Sequence, residues 1–164
     1  MTVFEAGDEL IVVDTGLAFP RDEHLGVDLV LPDFGYLRDR HIRAVLLTHG
    51  HEDHVGGLPY VLRELDVAEV WATRLTLGLV KSKLDEHGLL RAAELREADP
   101  TDDPIQLGPF RLEFVRMAHS IPDAVAVVIE TSAGWRSSGT WSSTSCSATR
   151  RTRSGPASRL RSAS

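Results

Sequence analysis

Three histidines and one aspartate lie within six consecutive residues of the sequence, in the string HGHEDH at positions 49–54. Neutral imidazoles and ionised carboxylates bind zinc and related divalent ions, and a turn can direct closely spaced ligands at one small volume. We expect His49 and His51 to bind one ion. Asp53 and His54 would then face a second ion about 3.5–4 Å away, which is the spacing typical of two-metal hydrolases.

Two residues outside this loop could complete or support the metal site. His119, in the string MAHSIPD, follows another predicted strand and would be a third ligand of the first ion, although residue types alone leave this open. Asp14 ends an earlier predicted strand, and we expect it to orient a ligating histidine, as carboxylates near metal ligands commonly do. The alternative is that the loop histidines are ordinary solvated residues, but their concentration between an apolar strand and a helix disfavours it.

The elements predicted around these residues alternate between strands and helices, which indicates an α/β fold. Short apolar runs and period-two alternation predict the strands, and helical spacing of leucines predicts the helices. The predicted elements are a hairpin from TVFE and LIVV, a long loop at 17–40, strands at 42–47, 70–72, 110–115 and 124–129, and helices at 53–65 and around 75–84.

The composition is that of an ordinary globular protein, with 42% hydrophobic and 26% charged residues. The sequence has no apolar run long enough to cross a bilayer and no secretory signal pattern at its start. Its single cysteine cannot form an internal disulfide, which agrees with a reducing compartment. We therefore expect a cytoplasmic protein that does not bind membranes.

The charge distribution divides the chain into two predicted parts. Residues 1–135 contain 12 of the 18 basic residues and all 24 acidic residues, a balance of −12. Residues 136–164 contain six arginines and no acidic residue, and their Ser/Arg-rich composition predicts a disordered tail. A body this acidic repels a phosphate backbone, so attraction to nucleic acid would have to come from bound metal or from other parts of a longer protein.

The metal loop and several longer strings resemble a known family. His-x-His-x-Asp-His after a strand is the signature of the metallo-β-lactamase superfamily, whose fold is an αββα sandwich. Within that superfamily, the chain is similar to the ribonuclease J family from residue 1 to about residue 134. The matching strings are GDELIVVDTGLAFP, GVDLVLPDFGYLRDR, AVLLTHGHEDHVGGLPYVLRE, KSKLDEHGL and HSIPDAVAV.

This resemblance implies a zinc-dependent ribonuclease, an endonuclease and 5′-to-3′ exonuclease on RNA that acts in the cytoplasm as a dimer or tetramer. His49, His51 and His119 match ligands of one zinc ion. Asp53 and His54 match ligands of the other, and Asp53 would also position a zinc-bound hydroxide. Two zinc ions would lower the pKa of a bound water and neutralise charge that develops at the phosphate.

The chain departs from the family after about residue 134, where a Gly-Asp strand, an RNA-gripping β-CASP domain and a C-terminal domain are expected. An upstream strand and Gly-rich turn are also missing. We therefore expect an incomplete copy, weakly active or inactive. A shifted reading of allowed codons from Trp135 gives ALLGDLELDQLLRDAP, which resembles the missing strand, so a frameshift is our hypothesis for the tail. A natural Ser/Arg-rich linker is the alternative.

Two other functions remain open on the sequence. Another hydrolase of the superfamily, acting on thioesters, lactams or small phosphodiesters, fits the metal loop but not the HSIPD string. A non-catalytic remnant that binds zinc or a partner, or that does not fold, would fit the missing strands.

Overall fold

The computed structural model describes residues 1–21, 25–132 and 134–138, which form two packed β-sheets with helices on one side. The first sheet contains, in spatial order, β1 (Thr2–Ala6), β2 (Glu9–Val13), β3 (His41–Leu46), β4 (Asp66–Ala72) and β5 (Glu94–Glu97). The second contains β6 (Ile105–Leu107), β7 (Phe110–Arg116), β8 (Val125–Thr131) and β9 (Gly134–Ser138). The helices are α1 (Glu52–Val55), α2 (Leu58–Glu64) and α3 (Arg74–Glu86), and a 3-10 turn spans Gly35–Leu37.

The direction of the strands creates one functional edge. β1 and β2 form an antiparallel hairpin, whereas β2, β3, β4 and β5 run parallel. The carboxyl ends of these four strands therefore meet at the same edge, which we call the carboxyl edge. Asp14, Thr48, Thr73 and Ala98 follow the four strands there. Open α/β sheets bind their ligands at such an edge.

The central strands of the first sheet are buried on both faces. Leu10 and Val12 of β2 pack with the helices, whereas Ile11 and Val13 pack against the second sheet. A strand buried on both faces is a continuous apolar run, which is why LIVV shows no alternation in the sequence. In β7, by contrast, alternate residues are buried and exposed, as expected for a strand with one face in solvent.

The structure confirms the predicted α/β class and the partial sandwich, and β3, β7 and β8 lie where the sequence predicts them. The single helix predicted over residues 53–65 was wrong, because α1 and α2 are separate at Gly56 and Gly57. The Gly57 backbone N–H donates a 2.6 Å hydrogen bond to the Thr15 carbonyl. A Cβ atom at position 57 would lie 2.5 Å from that oxygen, so this close approach fixes the break.

The remaining differences occur in polar or uncertain segments. β4 begins four residues before the predicted strand. β5 and β6 were not predicted because β5 is short and mostly exposed and β6 has only three residues. β9 pairs residues 136–138 with β8, so the strand continues three residues into the predicted disordered tail. Residues 139–164, including most of the segment of the frameshift hypothesis, lie outside the described residues. Within the described part of the chain, no helix is long and apolar enough to span a bilayer.

Candidate metal centre

The carboxyl edge brings the predicted site residues together from three separate segments. In the sequence, 35 residues separate Asp14 from His49 and 65 separate His54 from His119, and the fold removes this separation. The residues come from the end of β2 (Asp14), from the β3–α1 junction (His49, His51, Asp53, His54) and from the loop after β7 (His119).

Three imidazole rings point their nitrogen atoms at one small volume. His49 Nε2 lies 3.1 Å from His51 Nδ1 and 3.0 Å from His119 Nε2. The three nitrogens all lie within 4.8 Å of one another, which is the arrangement of a site able to hold a metal ion. Three histidines that leave a coordination position open are the protein ligand set of a catalytic zinc site.

The electrostatics of His49 suit metal binding. The side chain is buried, and burial is the largest cause that lowers its pKa to about 4, followed by the charges of His54 and His119. The ring is therefore neutral near neutral pH. A neutral ring has a nitrogen lone pair available for a cation, whereas a protonated ring has none. The residues present therefore fit a divalent metal.

A hydrogen-bond network behind the rings decides which nitrogens face this volume. The Thr48 hydroxyl lies 3.0 Å from both carboxylate oxygens of Asp14 and 2.9 Å from His49 Nδ1. Because a carboxylate only accepts, the hydroxyl donates its proton to Asp14 and accepts one from His49 Nδ1–H. Nε2 of His49 is then the unprotonated nitrogen, and it is the atom that faces the other two histidines.

Asp14 also orients His54, through a direct hydrogen bond. Its Oδ2 lies 2.8 Å from His54 Nδ1, and this hydrogen bond is the largest cause that raises the pKa of His54. Its Oδ1 accepts a 2.9 Å hydrogen bond from the Thr48 backbone N–H. Asp14 adopts a left-handed φ of 56°, a conformation that aspartate tolerates better than most residues. The prediction that Asp14 supports a histidine of the loop thus has a specific geometry.

Asp53 and His54 form a second, more open pair. Asp53 Oδ2 lies 3.5 Å from His54 Nε2, the ring nitrogen that Asp14 leaves free. The Asp53 side chain is 71% exposed, so it lies on the side of the site that is open to solvent.

Sequence reasoning missed two residues that build the centre. Thr48 was not singled out, although it directly precedes His49 in the loop string. Gly16 was also missed: a Cβ atom there would lie 1.6 Å from the Asp53 carbonyl oxygen, so only glycine allows the β2 end to approach α1. The DTG string carries this signal, since glycine is required wherever two backbones come this close.

This fold and this site match a known class of protein. Residues 1–124 match the metallo-beta-lactamase superfamily, and the chain belongs to that family. A crystal structure of a protein of unknown function from Enterococcus faecalis V583 has a similar fold, with a TM-score of 0.61 and 21% identity. That similarity covers 82% of this chain and 38% of the other.

Within the superfamily, the chain is similar to ribonuclease J. It is 50% identical to ribonuclease J of Thermus thermophilus over 142 residues, which are 82% of this chain and 25% of that protein. It is 42% identical to ribonuclease J of a Synechocystis species over 135 residues, which are 80% of this chain and 21% of that protein. The chain therefore spans about a fifth to a quarter of the length of these relatives.

Proposed function

We propose that the chain carries the metal centre of a zinc-dependent ribonuclease of ribonuclease J type, which hydrolyses RNA phosphodiesters. One observation carries the proposal: three histidine nitrogens converge in a chain that is 50% identical to a ribonuclease J over 142 residues. Because the chain spans only part of the relatives, RNA cleavage, endonuclease and exonuclease modes, assembly as a dimer or tetramer and a cytoplasmic location are proposed for the whole protein.

We assign the ligands from the atoms that face one another. His49 Nε2, His51 Nδ1 and His119 Nε2 would hold one zinc ion. Asp53 and His54 Nε2 would hold the other, while Asp14 accepts a hydrogen bond from His54 Nδ1 on the opposite side of the ring. Bound zinc supplies a water-derived nucleophile near neutral pH and neutralises negative charge on the phosphate.

The protein groups orient the reactants around these ions. Thr48 and Asp14 fix the ring nitrogens that face the ligand volume, so the site needs little rearrangement on binding. The exposed carboxylate of Asp53 accepts a hydrogen bond from the attacking water and holds it toward the phosphorus atom, a positioning role on the open side of the site.

The test is metal-dependent cleavage of a labelled single-stranded RNA by the zinc-loaded whole protein that contains this chain. We expect cleavage that a chelator stops and that Asp53→Asn lowers about 100-fold or more, the effect of removing a group that positions a reacting water. Asp102→Asn, in the exposed segment after β5, is the matched control and should cleave like the wild type. A zinc-loaded whole protein that leaves RNA intact would contradict the proposal.

A further inference from the structure

The carboxyl edge contains a second feature beside the metal centre, an open cleft of about 570 Å³ at the ends of β4 and β5. Ligand pockets typically have volumes of roughly 300–1,000 Å³, so the cleft is large enough for a nucleotide. None of the predicted metal ligands lines it. Its lining residues are Thr73, Arg74, Leu75, Gly78, Leu79, Glu97, Ala98, Asp99, Pro100, Arg116 and Asp123.

The cleft and the metal centre share a wall. Leu79 lines the cleft, and its Cδ1 would lie 2.5 Å from a Cβ atom built on Gly50, between His49 and His51. Asp123 lies in the same loop as His119, and its Oδ2 accepts a 3.1 Å hydrogen bond from the Leu75 backbone N–H at the start of α3. A polymer whose reacting bond lies at the metal centre can therefore continue directly into the cleft.

Two arginines of the cleft are available to a ligand. Arg74 forms no ion pair with any residue in the described part of the chain. Arg116 forms two long ion pairs, at 3.7 Å with Asp123 and at 3.9 Å with Asp99; neither is within hydrogen-bond distance, and the Arg116 side chain is 63% exposed. A guanidinium with free N–H groups in this setting can donate two hydrogen bonds to one phosphate.

The remainder of the lining suits the rest of a nucleotide. Leu75 and Leu79 are each more than two-fifths exposed and offer apolar surface in the cleft. Apolar side chains beside a guanidinium form a surface on which ribose and base can pack. The acidic residues Glu97, Asp99 and Asp123 also line the cleft, and their charges oppose phosphate binding.

We propose that this cleft binds the RNA segment that adjoins the scissile phosphodiester, with Arg74 and Arg116 contacting backbone phosphates. The proposal rests on the proposed ribonuclease function. The two arginines supply a local cationic contact in a protein whose net charge over residues 1–135 is −12. The bound strand runs along the carboxyl edge, from the histidines at the end of β3 past α3 to the end of β5.

The test is the affinity of the full chain for a fluorescein-labelled single-stranded RNA, measured by anisotropy over a series of salt concentrations. We expect Arg74→Ala and Arg116→Ala each to weaken binding about tenfold. The double variant should also lower the slope of log K against log salt by about 1.4, because each phosphate contact contributes about 0.7 on a single strand. Arg111→Ala is the matched control. Arg111 lies on the same strand as Arg116 but does not line the cleft, and it forms a 3.0 Å ion pair with Glu130.

A substitution that should strengthen RNA binding controls for a general loss of folding in the arginine variants. Glu97→Gln removes a negative charge from the cleft and should strengthen RNA binding several-fold, whereas Glu113→Gln, on the exposed face of β7, should not. Affinity and salt slope that equal the wild type in the double arginine variant would overturn the proposal, as would a wild type that does not bind RNA.

A separate measurement distinguishes this failure from failure of the proposed function. Hydrolysis of bis(p-nitrophenyl) phosphate by the zinc-loaded chain uses the metal centre and does not need the cleft. If the chain hydrolyses this substrate but its RNA affinity does not depend on Arg74 and Arg116, the cleft proposal alone would be rejected. Arginine-dependent RNA binding without hydrolysis would support the cleft and count against the ribonuclease.

Discussion

Thr48→Val tests whether the hydrogen-bond network behind the histidines maintains the metal centre. Valine keeps the shape of threonine but removes the hydroxyl that joins Asp14 to His49. A hydrogen bond to a charged group contributes about 1.5–3 kcal/mol, so we expect the metal-free protein to lose about that much stability. Loss of a residue that orients a metal ligand typically costs 10–100-fold in metal affinity, and we expect zinc affinity to fall in that range.

Thr15→Val is a close control for this experiment. Thr15 is equally buried, but its hydroxyl has no hydrogen-bond partner among the described residues. Removing an unsatisfied buried hydroxyl should leave stability unchanged or raise it by about 1 kcal/mol. Urea denaturation of the metal-free proteins and chelator competition for zinc measure the two effects. Equal stability and equal zinc affinity in the two valine variants would refute the assigned role of Thr48.

Two further substitutions test the scaffold by urea denaturation. Gly16→Ala should destabilise the protein by about 3 kcal/mol or more, because the new Cβ atom would lie 1.6 Å from the Asp53 carbonyl oxygen. Gly78→Ala in α3, which has open space around it, should raise the free energy of unfolding by up to about 1 kcal/mol. Equal effects of the two substitutions would contradict the close approach. Phe110→Ala, in the core between the sheets, should cost about 3–5 kcal/mol, whereas Val115→Ala on the exposed face should cost about 0.5 kcal/mol or less; a mild Phe110 variant would contradict the sandwich core.

The sequence predicts the parts of the site that are local in the chain. His49, His51, Asp53 and His54 lie in one turn, so their spacing alone indicates a metal loop. His119 lies 70 residues from His49, and no local pattern joins the two; the resemblance supplied it, and the fold brings their Nε2 atoms to 3.0 Å.

Contacts between distant backbones could not be predicted from local patterns. The approach of Gly16 to α1 and the bond from Gly57 to the Thr15 carbonyl depend on how β2 packs beside α1, and they break a helix that periodicity alone would continue. β5 was missed for a related reason. Its burial is slight, and its pairing with β4 rather than its own side chains makes it a strand.

The most direct test of the account is the zinc content of the purified chain, measured beside two histidine variants. His51 belongs to the convergent set, whereas His41 lies at the opposite, amino end of β3 and pairs with Asp66 at 2.6 Å. We predict about one to two zinc ions per chain in the wild type and in His41→Ala, with at least one lost in His51→Ala. A wild type without zinc, or a His51→Ala protein that keeps all of it, would contradict the metal centre.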